Sequence, residues 1–139
     1  MKKVKGLIIM LLISLSLFGM TACDGENNII SSYEQITAEQ AKTIMDTEND
    51  YVIIDARTEE EFAEGHIENA ILIPEYEIAN RAEKELSDKE ALILVYCRSG
   101  RRSKIAAEEL VKLGYTNVKE FGGIIDWPYE TRKDYNDSI

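Results

Sequence analysis

ALILVYCRSGRRSKIAAEELVKLG, residues 91–114, joins an apolar run to an amphipathic one through a short polar segment. Residues 91–96 (ALILVY) contain no polar break, and such a run suits a strand covered on both faces in the middle of a parallel sheet. Residues 102–113 carry Ala106, Leu110 and Leu113 at helical spacing, with Gly114 placed to stop the helix. Between them stands Cys97-Arg98-Ser99-Gly100-Arg101-Arg102-Ser103, a loop leading from a strand end into a helix N-terminus. In open parallel sheets, ligands bind beyond the carboxyl ends of strands. Backbone N–H groups that converge there stabilise anions, a thiolate among them.

The same alternation continues on either side. Residues 51–54 (YVII), 70–73 (AILI, closed by Pro74) and 117–121 (NVKEF, ending in Gly122-Gly123) are predicted strands. Thr37 with Gln40 and Thr58 with Glu61 have the spacing of capping boxes. The first opens a helix with Ala41, Ile44 and Met45 on one face; the second opens a short helix that carries Phe62 and ends at Gly65. A charged helix is predicted over 75–86, with Ile78, Ala82 and Leu86 inward. Short apolar runs alternating with amphipathic helices predict an α/β domain built on a mainly parallel sheet. The 139 residues are enough for one such domain.

Composition narrows the function. Hydrophobic residues at 45% and charged residues at 30% describe an ordinary globular domain, which excludes a disordered chain. The formal charge is −10, and Lys2, Lys3 and Lys5 are the only charges in the first 22 residues, so the remainder stands near −13. Nucleic acid is not an expected partner, because binding a polyanion needs a basic surface. Against this acidic background the arginines of residues 98–102 stand out.

The N-terminus reads as an address. A basic start is followed by an apolar run, residues 6–20, broken only by Ser14 and Ser16. That is shorter than the roughly 18 or more apolar residues a membrane span needs, and has the form of a signal peptide. Met20-Thr21-Ala22-Cys23 resembles the lipobox of bacterial lipoproteins, with methionine where leucine is preferred. The resemblance implies cleavage before Cys23, acylation of its thiol and anchoring on the outer face of the bacterial cytoplasmic membrane; several acyl chains on one residue hold stably. The organisation expected is therefore a cleaved signal peptide at 1–22, a lipidated Cys23 with a polar tether to residue 32, a domain at 33–130 and a polar tail at 131–139. The tether would keep the domain within roughly 30 Å of the membrane.

With Cys23 assigned to lipid, Cys97 has no partner for a disulfide, and a lone thiol in an exported protein suggests reactivity. A free thiol has a pKa near 8.5, which cations and a helix N-terminus lower. Arg98, Arg101 and Arg102 supply such cations and would attract an anionic substrate; Gly100 lets the loop turn tightly.

The segment Cys97-Arg98-Ser99-Gly100-Arg101-Arg102-Ser103 resembles the active-site loop of rhodaneses. The resemblance extends in family order through Asp55-Ala56-Arg57, Glu61-Phe62, Gly65-His66-Ile67 with Ala70, Gly114-Tyr115, Gly122-Gly123-Ile124 and Trp127. It implies a three-layer fold with five strands and helices on both faces. It also implies sulfur transfer from an anionic donor such as thiosulfate to a thiol or cyanide, through a persulfide and without metal or organic cofactor. Carried onto this chain, Cys97 is the nucleophile, and the backbone N–H groups of Arg98, Ser99, Gly100, Arg101 and Arg102 cradle the persulfide while arginine side chains hold the donor. A monomer is expected. Asp55 and Arg57 are expected to pair at a strand end, Glu61 to serve its cap, His66 to belong to a turn, and Trp127 to lie in the core or line the pocket mouth. Two rivals stand beside this reading. A cysteine phosphatase or arsenate reductase would want arginine six positions after the cysteine, where this chain has Ser103. A redox-sensing or partner-docking module would keep the fold without turnover.

Overall fold

The computed structural model describes residues 32–133. The predicted signal peptide, Cys23, the tether up to residue 31 and residues 134–139 of the tail lie outside them. Five strands form one sheet: β1 (Glu34–Gln35), β2 (Val52–Asp55), β3 (Ala70–Leu72), β4 (Ile93–Cys97) and β5 (Val118–Gly123). Their spatial order is β1-β5-β4-β2-β3, and every pairing among them is parallel. Four α-helices connect them: α1 (Ala38–Thr47), α2 (Glu59–Glu64), α3 (Ile78–Glu85) and α4 (Arg101–Lys112).

Period-2 alternation explains how the central strands come to be apolar throughout. Ile54, Ile93, Val95, Cys97 and Val118 face one side, where they pack with Ala82 of α3 and Ala106, Ala107 and Leu110 of α4. Ile53, Leu94, Tyr96 and Phe121 face the other, against Ala41, Ile44 and Met45 of α1. All five residues of β4 are buried, as an apolar run between two helical layers requires. Burial of these side chains, at about 25 cal/mol per Å² of apolar surface, is the main force holding the layers together.

Both predicted capping boxes form. The Thr37 hydroxyl accepts the Gln40 N–H at 3.1 Å while the Gln40 side chain accepts the Thr37 N–H at 2.8 Å. Thr58 and Glu61 exchange the same pair of bonds at 3.3 and 3.1 Å.

Four details depart from the sequence-based expectation. The polar pair Glu34–Gln35 forms β1, which has no hydrophobic pattern to announce it and is held by pairing with β5. The helix predicted over 75–86 is divided: after Pro74 the chain makes a tight 3-10 turn, Glu75–Glu77, closed by a Glu77 N–H bond to the Pro74 carbonyl, and only then enters α3. The last strand runs on through both glycines, because the positive φ of Gly122 (+88°) accommodates an irregularity that lets Gly123 pair with Cys97. Finally, β4 extends to Cys97 itself.

Candidate active site

Cys97 was expected inside a polar loop. Instead it is the last residue of β4, 1% exposed, with its side chain on the α3/α4 face. The chain then turns through Arg98 and Ser99, both exposed, and enters α4 by way of Gly100. Gly100 is the N-cap at φ +98°, a left-handed conformation that costs an L-residue about 1–2 kcal/mol. In that geometry its N–H donates to Cys97 Sγ at 3.0 Å. Burial pushes the Cys97 thiol up. The Ser103 hydroxyl and the backbone N–H groups of Ser103, Gly100 and Ser99 outweigh burial and hold the thiol below its ordinary value. Among the described residues, the hydrogen bond that reaches Sγ comes from a backbone amide, that of Gly100, and not from an arginine side chain.

The arginines have separate roles. Arg102 makes a two-pronged bond to Glu61, at 2.7 and 2.8 Å, which holds the Glu61 carboxyl down at about 2. Its guanidinium is therefore committed to α2, while it also feels the charge of Cys97. Arg98 and Arg101 are exposed and enter no ion pair among the described residues, so they remain available to an incoming anion. Glu61, expected only to cap α2, joins that helix to the first turn of α4.

At the end of β2, Asp55 and Arg57 form the expected ion pair, Nη2 to Oδ2 at 2.6 Å, with Asp55 fully buried and Arg57 5% exposed. Arg57 also donates to the Gly65 carbonyl at 2.7 Å. Sequence reasoning missed the third member, Tyr96, whose hydroxyl donates to Asp55 Oδ2 at 2.5 Å and accepts the Ile67 N–H at 3.0 Å. Tyr96 precedes Cys97 and points to the opposite face, so this network fixes the strand end from which the cysteine projects. His66 lies in the turn after α2, stacked on Phe62 with ring centroids 3.8 Å apart. Trp127 packs against Phe121 on the α1 face, not at Cys97, and lines a cavity of about 660 Å³ with Tyr51, Ile67 and Tyr129.

Two further residues of the site were not singled out as site residues from the sequence. Ser103 is fully buried in the first turn of α4, and Glu120 on β5 is 3% exposed. The Ser103 hydroxyl lies 2.6 Å from Glu120 Oε1. The one available hint was that Val118 and Glu120 share a strand face, which places an acid on the apolar side. Gly123 lies directly under the loop: a Cβ there would come within 2.5 Å of Ser99 Cα and of the Arg98 carbonyl carbon. The Arg98 carbonyl also accepts the Ile125 N–H at 3.2 Å.

Comparison with known proteins agrees with this architecture. A thiosulfate sulfurtransferase of Escherichia coli (PspE) is 40% identical over 73 residues, spanning 52% of this chain and 70% of that protein. A putative sulfur carrier protein of Bacillus subtilis (YrkF) is 34% identical over 102 residues, 73% of this chain and 54% of the longer relative. Among solved structures, a rhodanese with anions from E. coli superimposes with a TM-score of 0.57 at 36% identity, covering 60% of this chain and 98% of that one. Several relatives, PspE among them, are named sulfurtransferases, which supports that class of activity at the level of the family. Since the family model for the Rhodanese-like domain matches residues 37–128, two thirds of the chain, this protein belongs to the rhodanese-like family.

Proposed function

We propose that the protein is a sulfurtransferase in which Cys97 carries a sulfane sulfur as a persulfide. The observation that carries the reading is the position of Cys97 Sγ at the C-terminal end of β4, facing the N-terminus of α4 with the Gly100 N–H 3.0 Å away. A thiolate held below its ordinary pKa attacks the outer sulfur of an anionic donor such as thiosulfate. One S–S bond forms to Cys97, the S–S bond of thiosulfate breaks, and the electron pair leaves on sulfite. A thiol or cyanide then attacks the outer sulfur of the persulfide; its new bond forms as the Cys97 S–S bond breaks and the thiolate returns. Atoms and electrons balance across these two half-reactions without a cofactor.

Backbone N–H groups suit the outer sulfur because they are fixed before it arrives and need no reorganisation. Arg98 and Arg101, exposed at the loop, draw the anionic donor in. A relative from E. coli solved with anions is consistent with this chemistry. In its setting the protein is a lipoprotein, acylated at Cys23 and held on the outer face of the bacterial cytoplasmic membrane, where the domain acts as a monomer.

The test is thiocyanate formation from thiosulfate and cyanide, with Cys97→Ala alongside. Turnover that disappears in the variant is expected. A folded wild type that transfers no sulfur from thiosulfate or other sulfane donors would defeat the reading and favour a redox or docking module. Mass spectrometry of the mature protein checks the anchor, since an unmodified Cys23 excludes it.

A further inference from the structure

The Cys97 cradle is braced from behind by a carboxyl group. Glu120 lies on the same face of the sheet as Val118 and Cys97, and is 3% exposed. Its Oε1 accepts the Gly122 N–H at 2.8 Å and lies 2.6 Å from Ser103 Oγ. Ser103 has a single hydroxyl proton and three oxygens within reach: Glu120 Oε1, the Gly100 carbonyl at 3.1 Å and the Gly122 carbonyl at 3.3 Å. The shortest of these contacts is the one to the carboxyl. Glu120 enters no ion pair among the described residues. Burying such a group without a cation costs free energy, so its two hydrogen bonds are what keep it in place.

Those two bonds end on opposite walls of the site. Gly122 is the point where β5 departs from regular register beside Cys97, and Ser103 lies in the helical turn whose amides face the sulfur. One oxygen therefore ties the end of β5 to the start of α4, and Gly100, whose N–H meets Cys97 Sγ, touches both: a Cβ on it would be 3.6 Å from Gly122 Cα, and its carbonyl is 3.1 Å from Ser103 Oγ. A Cβ placed on Gly100 would be 4.0 Å from this same oxygen.

On the sulfur-transfer reading above, we propose that Glu120 is a positioning residue: acting through Ser103 and Gly122, it holds the amide cradle in the geometry that stabilises the Cys97 thiolate and persulfide. Its role is that of an acceptor, so a neutral amide of the same length replaces it and an apolar side chain does not.

The test compares Glu120→Gln, Glu120→Leu and Glu120→Ala in the full chain. Two readouts are taken: the rate of Cys97 alkylation by iodoacetamide from pH 5 to 9, and the kcat and KM of thiocyanate formation. Glu120→Leu is expected to slow alkylation at pH 7 at least fivefold, and to lower kcat at least tenfold with KM for thiosulfate changed less than threefold. Glu120→Gln is expected to rescue both, alkylating no more slowly than wild type. Should Glu120→Leu fail to fold, Glu120→Ala, which removes the same acceptor without adding bulk, is expected to show the same loss. A wild-type alkylation profile in Glu120→Leu, or in Glu120→Ala if that variant has to stand in, overturns the proposal. So does a Glu120→Gln variant as slow as the leucine one. Alkylation needs no turnover: if wild type transfers no sulfur but the alkylation pattern holds, the functional reading fails and the brace stands.

Discussion

Gly123→Ala isolates the contact on which the loop rests. Gly123 has φ −124° and ψ 150°, extended backbone that alanine adopts without strain, so the substitution acts only through the added methyl group. That group would lie 2.5 Å from Ser99 Cα and the Arg98 carbonyl carbon, and closer still to the Arg98 oxygen. Carbon atoms pack at about 3.5–4.0 Å, so the shortfall is about 1 Å, and both partners are backbone atoms that cannot rotate away. Residues 98 and 99 must therefore lift off β5, and Gly100, the next residue, carries its N–H away from Cys97 Sγ. A displacement of about 1 Å at a reacting centre costs on the order of 100-fold in rate, or about 2.7 kcal/mol of barrier. Overpacking removes a further 1–3 kcal/mol, roughly, from folding stability. The assay is kcat/KM for thiocyanate formation, read beside thermal unfolding. Gly114→Ala is the control: Gly114 has φ +95° and open space around the Cβ position, so it should lose about 1–2 kcal/mol of stability and keep its kinetics. A Gly123→Ala variant with wild-type kcat/KM would refute the claim that β5 seats the loop.

Three other outcomes are expected. Glu61 is held at about 2 by Arg102, below its ordinary 4.5, so the pair stabilises the fold above about pH 4.5 and loses its contribution as pH falls towards 2; Arg102→Met should remove about 1 kcal/mol after solvent screening and flatten that part of the melting-temperature profile. Tyr96→Phe leaves buried Asp55 and the Ile67 N–H each short of a partner and should cost about 1–3 kcal/mol in chemical denaturation; unchanged stability would show that the network does not brace the strand end. Arg98→Ala and Arg101→Ala should raise KM for thiosulfate more than they lower kcat, by a factor that shrinks in high salt; a salt-independent loss of kcat would instead place these side chains at the reacting atoms.

How much of this was legible in the chain follows from the range of each interaction. Residues 91–96 announced a central strand because a strand covered on both sides must be apolar at every position. Thr37 with Gln40, and Thr58 with Glu61, announced helix starts because a capping box is complete within four residues. The polar pair at β1 gave no such sign, since its pairing with β5 is made by backbone atoms common to every residue. Arg102 illustrates the opposite limit. In the sequence it is one of three loop cations, whereas in the structure it belongs to Glu61, 41 positions away.

The sequence by itself determined the layering of the fold and the loop on which the reactive thiol would stand, because periodicity, caps and strand ends are local properties. Tertiary structure alone decided the burial of Cys97, the division of labour among the arginines, the seat that Gly123 provides and the brace from Glu120. Each of these arises where chain segments far apart in sequence meet at the C-terminal edge of the sheet, and a contact between distant segments leaves no pattern in either one.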